Sequence, residues 1–144
     1  KIFEVETGNH VRSFEGHTHH VLGVSWKADG STIASAGADN AIKIWNVETG
    51  EQARTIGSHS KQVTSIQFIG VGANILTCGG DQHVSLHETS DGKKIRDFAG
   101  GSDYMYASAA SRDERTVVAG GEDGVFRIWN GQDGNVKAAI DPPH

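Results

Sequence analysis

The sequence predicts an all-β protein built from one four-stranded antiparallel unit, repeated along the chain, and three observations carry this. The first is a period. Trp45 and Trp129 lie 84 residues apart, two steps of 42, with His87 at the midpoint and Phe3 one step before Trp45. Phe14, Ile56, Phe98 and Ile140 keep the same offset, as do Gly37, Gly79 and Gly121, then Asp39, Asp81 and Asp123, then Gly8, Gly50, Gly92 and Gly134. Five series sharing one offset, without insertion or deletion, mark a tandem structural repeat. The second observation is two-residue alternation in short runs bounded by Gly, Asp and Asn, as in half-buried strands between tight turns. The third is the absence of any helical period, in a chain with 19 Gly and only 2 Pro, a composition suited to many turns.

Each element follows in order. "IFEV" at 2–5 aligns with the third strand of a unit, since Phe3 falls at the Trp45 position, and 10–15 aligns with the fourth. "HVLGVSWKADG" alternates and ends in the turn pair Asp29-Gly30, a strong hairpin signal. "STIASAG" is small and mostly apolar, as a strand buried on both faces would be, and stops at the turn "ADN". "AIKIWNV" sets Ile42 and Ile44 on one face and Lys43 and Trp45 on the other, then stops at "ETG". "EQARTIG" is the most polar of the four, as expected of an outer edge strand. Three complete units are predicted at 21–57, 63–99 and 105–141, after a half unit at 1–15.

The remaining composition narrows the function. A length of 144 residues suits one domain with a usable core. A net charge of −5, scattered along the chain, argues against a nucleic-acid partner. No like-charge run suggests a membrane surface patch, and no stretch reaches the length of a membrane span. The opening does not read as a signal peptide, and a start at Lys1 without Met leads us to expect chain upstream. The single cysteine, Cys78, excludes an internal disulfide framework and leaves the compartment open, with a cytoplasmic one favoured.

The repeat resembles the WD-repeat (Trp–Asp repeat) family of β-propellers over essentially the whole chain. The residues that carry the likeness are "GH" at 16–17, "TIASAGADNAIKIWN" at 32–46, "SH" at 58–59, "ILTCGGDQHVSLHE" at 75–88 and "VVAGGEDGVFRIWN" at 117–130. The Asp of the Trp–Asp pair is Asn46, Glu88 and Asn130 here. A propeller blade has about 40–45 residues in four strands, and about 4–8 blades close a ring. Three and a half blades therefore predict an incomplete ring, with further blades expected from the parent chain or from another copy.

The resemblance also implies a buried network in each blade, linking a loop His, a turn Asp, a Ser or Thr on the second strand and the Trp indole. The first blade has it in full as His17, Ser35, Asp39 and Trp45. The second keeps His59, Thr77 and Asp81 but has His87 in place of the indole. The third keeps Asp123 and Trp129, while Gly101 and Ala119 stand at the His and Ser positions. Each buried polar group left unpaired costs about 1–3 kcal/mol, so the third blade is expected to be softer than the first, with Asp123 left less support. Trp45 reads as structural glue rather than a ligand-stacking residue.

Other constellations carry less. "HTHH" at 17–20, with His10 nearby, hints at a metal, but His17 belongs to the repeat, and His19 and His20 would face opposite ways on a strand. "GGEDG" at 120–124 lacks the Lys and the helix of a phosphate loop. Cys78 reads as a small buried hydrophobe, and Asp113 and Glu114 as a solvated hairpin loop. No catalytic, metal or cofactor set emerges.

The resemblance implies a non-enzymatic scaffold that binds a protein or peptide. A central-channel ligand binder or enzyme, and a self-assembling structural array, are the alternatives. The candidate binding face is the end where the loop before the first strand meets the turn after the second. It holds His19, His20, Lys61, Gln62, Asp103 and Tyr104, with Asn40 and Gln82 from the turns. These residues differ from blade to blade, and Tyr104 is the expected anchor, since aromatic residues dominate interface energetics.

Overall fold

The computed structural model describes residues 1–143 and is all-β, with no helix among them. Strands β1 (Ile2–Phe3) and β2 (His10–Arg12) form a two-stranded half blade. The first full blade is a meander of β3 (Val21–Trp26), β4 (Thr32–Gly37), β5 (Ile42–Asn46) and β6 (Gln52–Ile56). The second is β7 (Val63–Phe68), β8 (Asn74–Gly79), β9 (Val84–Glu88) and β10 (Lys94–Asp97). The third is β11 (Met105–Ala110), β12 (Thr116–Gly121), β13 (Phe126–Asn130) and β14 (Val136–Ile140). All pairings are antiparallel, and the four sheets do not close into a ring.

The sequence of each strand matches its place. The second strands of the first two blades are buried from their second residue onward, because they lie inside the sheet and between stacked blades. Small residues such as Ala34, Ala36 and Cys78 let the blades approach. The core is therefore between blades rather than within them. Ala34, Ala36, Ile42, Ile44 and Ile56 of the first blade pack on Val63, Ile66 and Phe68 of the second. Leu76, Cys78, Val84, Leu86 and Phe98 pack on Met105, Val117 and Trp129 in the same way.

The junctions are also tied by polar groups. The register shifts at the start of each first strand, after Val21, Val63 and Met105, a bulge that re-aims the extra residue. At Thr64 this turns the hydroxyl onto the Met105 carbonyl of the next blade, at 2.6 Å. The Phe68 amide donates to Ser25 Oγ at 2.9 Å across the first junction. On the outer side an arginine from each fourth strand reaches a turn carbonyl of the following blade: Arg12 to Thr49 at 3.0 Å, Arg54 to Ser90 at 2.7 Å and Arg96 to Gly131 at 2.9 Å.

Candidate interaction face

Behind the candidate face sit the three polar networks. In the first blade the Trp45 indole donates to Ser35 Oγ at 2.8 Å. Ser35 is thereby free to donate to His17 Nε2, 2.7 Å away. That leaves His17 Nδ1 as the N–H facing both Asp39 oxygens, at 3.0 and 2.9 Å. Burial pushes the Asp39 carboxyl up, but the Thr18 amide, His17 and the Ala41 amide outweigh it and hold it below the usual carboxylate range. Gly37 is required here by close approach: a Cβ would lie 2.3 Å from Asp39 Oδ1 and 2.6 Å from His17 Nδ1.

The second blade repeats this with His59 Nδ1 at 2.9 Å from Asp81 Oδ1 and His59 Nε2 at 2.9 Å from Thr77 Oγ1. Burial raises and His59 and the Ser60 amide lower the Asp81 carboxyl, with a net fall. His87 is fully buried, and neither ring nitrogen has a hydrogen-bond partner among the described residues. Burial, then His59 and Lys94, lowers its pKa from 6.5 to about 4, so the ring is neutral at pH 7. Ser58 Oγ is buried and unpartnered as well.

The third blade corrects the expectation of a poorly supported Asp123. Arg127, from β13, donates to both Asp123 oxygens, at 3.2 and 2.6 Å, and Ser102 also donates to Oδ2. Arg127, followed by Ser102, holds the Asp123 carboxyl well below the usual carboxylate range. The Trp129 indole finds the Ala99 carbonyl at 2.8 Å, so the loss of the Ser at Ala119 leaves no orphan donor. Gly101 has no room for a histidine, since even a Cβ would lie 2.2 Å from the Gln82 carbonyl oxygen. Nothing in the sequence marks Arg127 for this role, because the equivalent third-strand position already carries a cation, Lys43, in the first blade and Ser85 in the second.

The face itself is assembled by three equivalent backbone bonds. The Ala38, Gly80 and Glu122 amides donate to the His20, Gln62 and Tyr104 carbonyls, which ties each turn after a second strand to the loop before the first strand of its own blade. His19, His20, Lys61, Gln62, Gln82 and Asp103 are exposed there, and Asn40 is half-buried. Asn40 and Gln82 have φ of 66° and 74°, a left-handed turn position where Gly124 stands in the third blade. Asn40 Nδ2 donates to the Ser60 carbonyl of the next blade at 3.2 Å.

Three of these residues sit differently from expectation. His19 and His20 precede the strand and do not diverge: their rings are 4.6 Å apart, edge to face, and the His20 amide donates to His19 Nδ1. Tyr104 is half-buried rather than projecting. Its ring lies against Gly80 of the preceding blade, where a Cβ would come within 2.3 Å of Cε2, and its hydroxyl donates to Gln62 at 2.6 Å. Tyr104 is a junction residue, and Gly80 leaves the space for it.

Among the described residues no group of three or more His, Cys, Asp or Glu side chains is placed to hold a metal ion. Cys78 is buried, with burial pushing its thiol pKa up. Among the described residues no helix is long and apolar enough to cross a membrane. The family model for the WD domain, G-beta repeat, matches residues 8–46, 50–88 and 92–130. No curated protein matches the chain.

Proposed function

Because the chain belongs to the WD-repeat family, whose domains are protein-interaction scaffolds, we propose that it is a non-catalytic scaffold within a larger propeller. In this reading it captures a protein or peptide on the rim formed by His19, His20, Lys61, Gln62 and Asp103. One observation supports it above others. The backbone bonds behind the rim are the same in all three blades, whereas the exposed residues they carry are not. His19, Lys61 and Asp103 are one period apart and differ in charge. A rigid support with a varied surface is what recognition of one partner needs, because preorganisation lowers the ordering cost of binding. The paired imidazoles, the Lys61 ammonium and the Asp103 carboxylate suit a partner with both charges rather than a uniformly acidic or basic one.

The test is capture of partners by the tagged chain, with the double substitution Lys61→Glu and Asp103→Lys. Both side chains are exposed, so the melting temperature should hold while capture falls. Unchanged capture by that variant, together with loss of capture on reversing Asp29 and Asp91 at the opposite end, places the binding face there instead.

A further inference from the structure

The third blade carries an acidic, aromatic corner that the other two lack. Tyr104 and Tyr106 hold their ring centroids 5.3 Å apart, with the planes inclined at 45°. The Tyr106 hydroxyl donates to Glu122, and the Tyr104 amide donates to Asp103 Oδ1 at 2.7 Å. One period earlier these four positions hold Lys61, Gln62, Thr64 and Gly80, and two periods earlier His19, His20, Leu22 and Ala38, so no carboxylate stands at any of them. The backbone explains the placement. The register shifts between Met105 and Ala107, which makes Tyr106 the extra residue of the bulge and re-aims its side chain. Tyr106 is 53% exposed. Leu22 takes the same place in the first blade and is 43% exposed although the second blade packs on the first, so the position stays open beside a neighbouring blade. The Glu122 amide donates to the Tyr104 carbonyl at 2.8 Å, which holds the carboxylate to the same end. Among the described residues no Lys, Arg or His side chain pairs with Asp103 or Glu122, and Arg127 is held by Asp123. The local field is negative: the Glu122 carboxylate that accepts the Tyr106 hydroxyl, then burial and the charges of Glu122 and Asp103, push the Tyr106 pKa above the ordinary phenol value.

We infer that this corner takes the guanidinium of an arginine side chain from a bound protein or peptide. The inference rests on the rim reading above and names the side chain its partner brings to the third blade. Two features of the corner suit a guanidinium together. An exposed phenol face attracts a cation through its ring electrons, and a planar guanidinium can stack on that face while its edge donates to a carboxylate. Glu122 supplies that carboxylate beside the Tyr106 ring, and Asp103 adds to the negative field. A lysine ammonium is a compact, more strongly hydrated charge that cannot stack and donate through one plane. At the other end of the rim His19, His20 and Lys61 offer no carboxylate, so the partner's cation is directed to the third blade.

The experiment titrates the isotope-labelled chain with the peptide acetyl-Gly-Arg-Gly-amide and follows amide shifts by NMR. Saturable shifts of the Tyr104, Tyr106 and Glu122 amides are expected. The same peptide with citrulline or lysine in place of arginine should bind more weakly. Glu122→Gln should weaken arginine binding by at least about tenfold, the value of a hydrogen bond to a charged group. Tyr106→Leu should weaken it by about three- to fivefold, the value of an exposed cation–ring contact. Glu48→Gln, which removes the same charge from an exposed side chain of another turn, should leave it unchanged. Shifts that do not saturate, equal binding by the citrulline or lysine peptide, or an equal loss on Glu48→Gln overturns the proposal. Partner capture with Lys61→Glu and Asp103→Lys tests the rim separately. Arginine binding that obeys these expectations while capture is unchanged by that pair sustains the guanidinium site and overturns the rim reading. Capture lost in that pair, with no arginine binding by the unsubstituted chain, overturns the guanidinium site and leaves the rim.

Discussion

Arg127 grips both oxygens of Asp123 in the one blade that lacks the histidine set against this aspartate elsewhere. The pair is largely buried, with side chains 9% and 14% exposed. Hydrogen bonds to a charged group contribute about 1.5–3 kcal/mol. Arg127→Ala should therefore lower stability by about 2 kcal/mol, measured by urea unfolding. It should also raise amide exchange in β12 and β13 above that in β4 and β5. In the unsubstituted chain the exchange of these strands should be similar, since Arg127 does in the third blade what His17 does in the first. An Arg127→Ala chain with unaltered protection of β12 would mean that the ion pair is idle.

The second blade has substituted two positions together. In the first blade Gly16 faces the indole: a Cβ there would lie 3.0 Å from Trp45 Cη2. One period on, Ser58 stands where Gly16 did and His87 where Trp45 did. His87→Trp alone should thus be neutral or destabilising, because the Ser58 side chain takes the space the indole needs. With Ser58→Gly added, the indole can donate to Thr77 as Trp45 does to Ser35. The double variant should be more stable than the parent by about 1 kcal/mol, the net value of one hydrogen bond. Additive single effects in a double-mutant cycle would show that the two positions are not coupled.

His87 also sets a pH dependence. Burial lowers its pKa from 6.5 to about 4, so folding disfavours its protonated form. Above pH 6.5 the ring is neutral in both states and the stability is fully present. As the pH falls below that, the unfolded chain takes up a proton that the folded chain refuses, so stability declines until about pH 4. The loss amounts to roughly 3 kcal/mol at one pKa unit per about 1.4 kcal/mol. His87→Phe should abolish most of this slope between pH 6.5 and 4.5, read from denaturant midpoints at each pH. It also removes two unpartnered buried nitrogens, so it should not lower stability at pH 7. An unchanged slope in the variant would assign the acid sensitivity to other groups.

The parts of the molecule that were legible in the sequence are those fixed by local pattern. Alternation such as Ile42, Lys43, Ile44 marks a strand whatever it packs on, and turns such as Asp29-Gly30 mark its end. The first network was legible only through the family resemblance, which gives His17, Ser35, Asp39 and Trp45 their roles. What stayed hidden are pairs in which two positions depart from the repeat together. Tyr104 with Gly80, Ser58 with His87, and Arg127 with the histidine lost at Gly101 each exchange one contact for another, and each single residue looks like drift. Only the distance between the members shows that the departures compensate. The rim is hidden for a different reason: its residues touch little else in the chain, so nothing internal dictates them.

The turn glycines of the period give the last prediction. Gly8, Gly50, Gly92 and Gly134 share φ of 71–79°, which an L-residue adopts at a cost of about 1–2 kcal/mol. Beyond φ they differ. A Cβ on Gly92 would come within 3.1 Å of Arg54 Cδ, and one on Gly134 within 2.9 Å of Arg96 Cδ, whereas Gly8 has nothing within 4 Å. The glycine is thus demanded twice, by its own turn and by the arginine that crosses the junction. Gly92→Ala should cost about 1 kcal/mol more than Gly8→Ala, because overpacking adds to the backbone term. Arg54→Ala should itself weaken the junction, by the loss of its bond to the Ser90 carbonyl. In the Arg54→Ala background the further cost of Gly92→Ala should shrink to the cost at Gly8. If it does not shrink, the crossing arginine stem leaves the turn free and the glycine answers to φ alone.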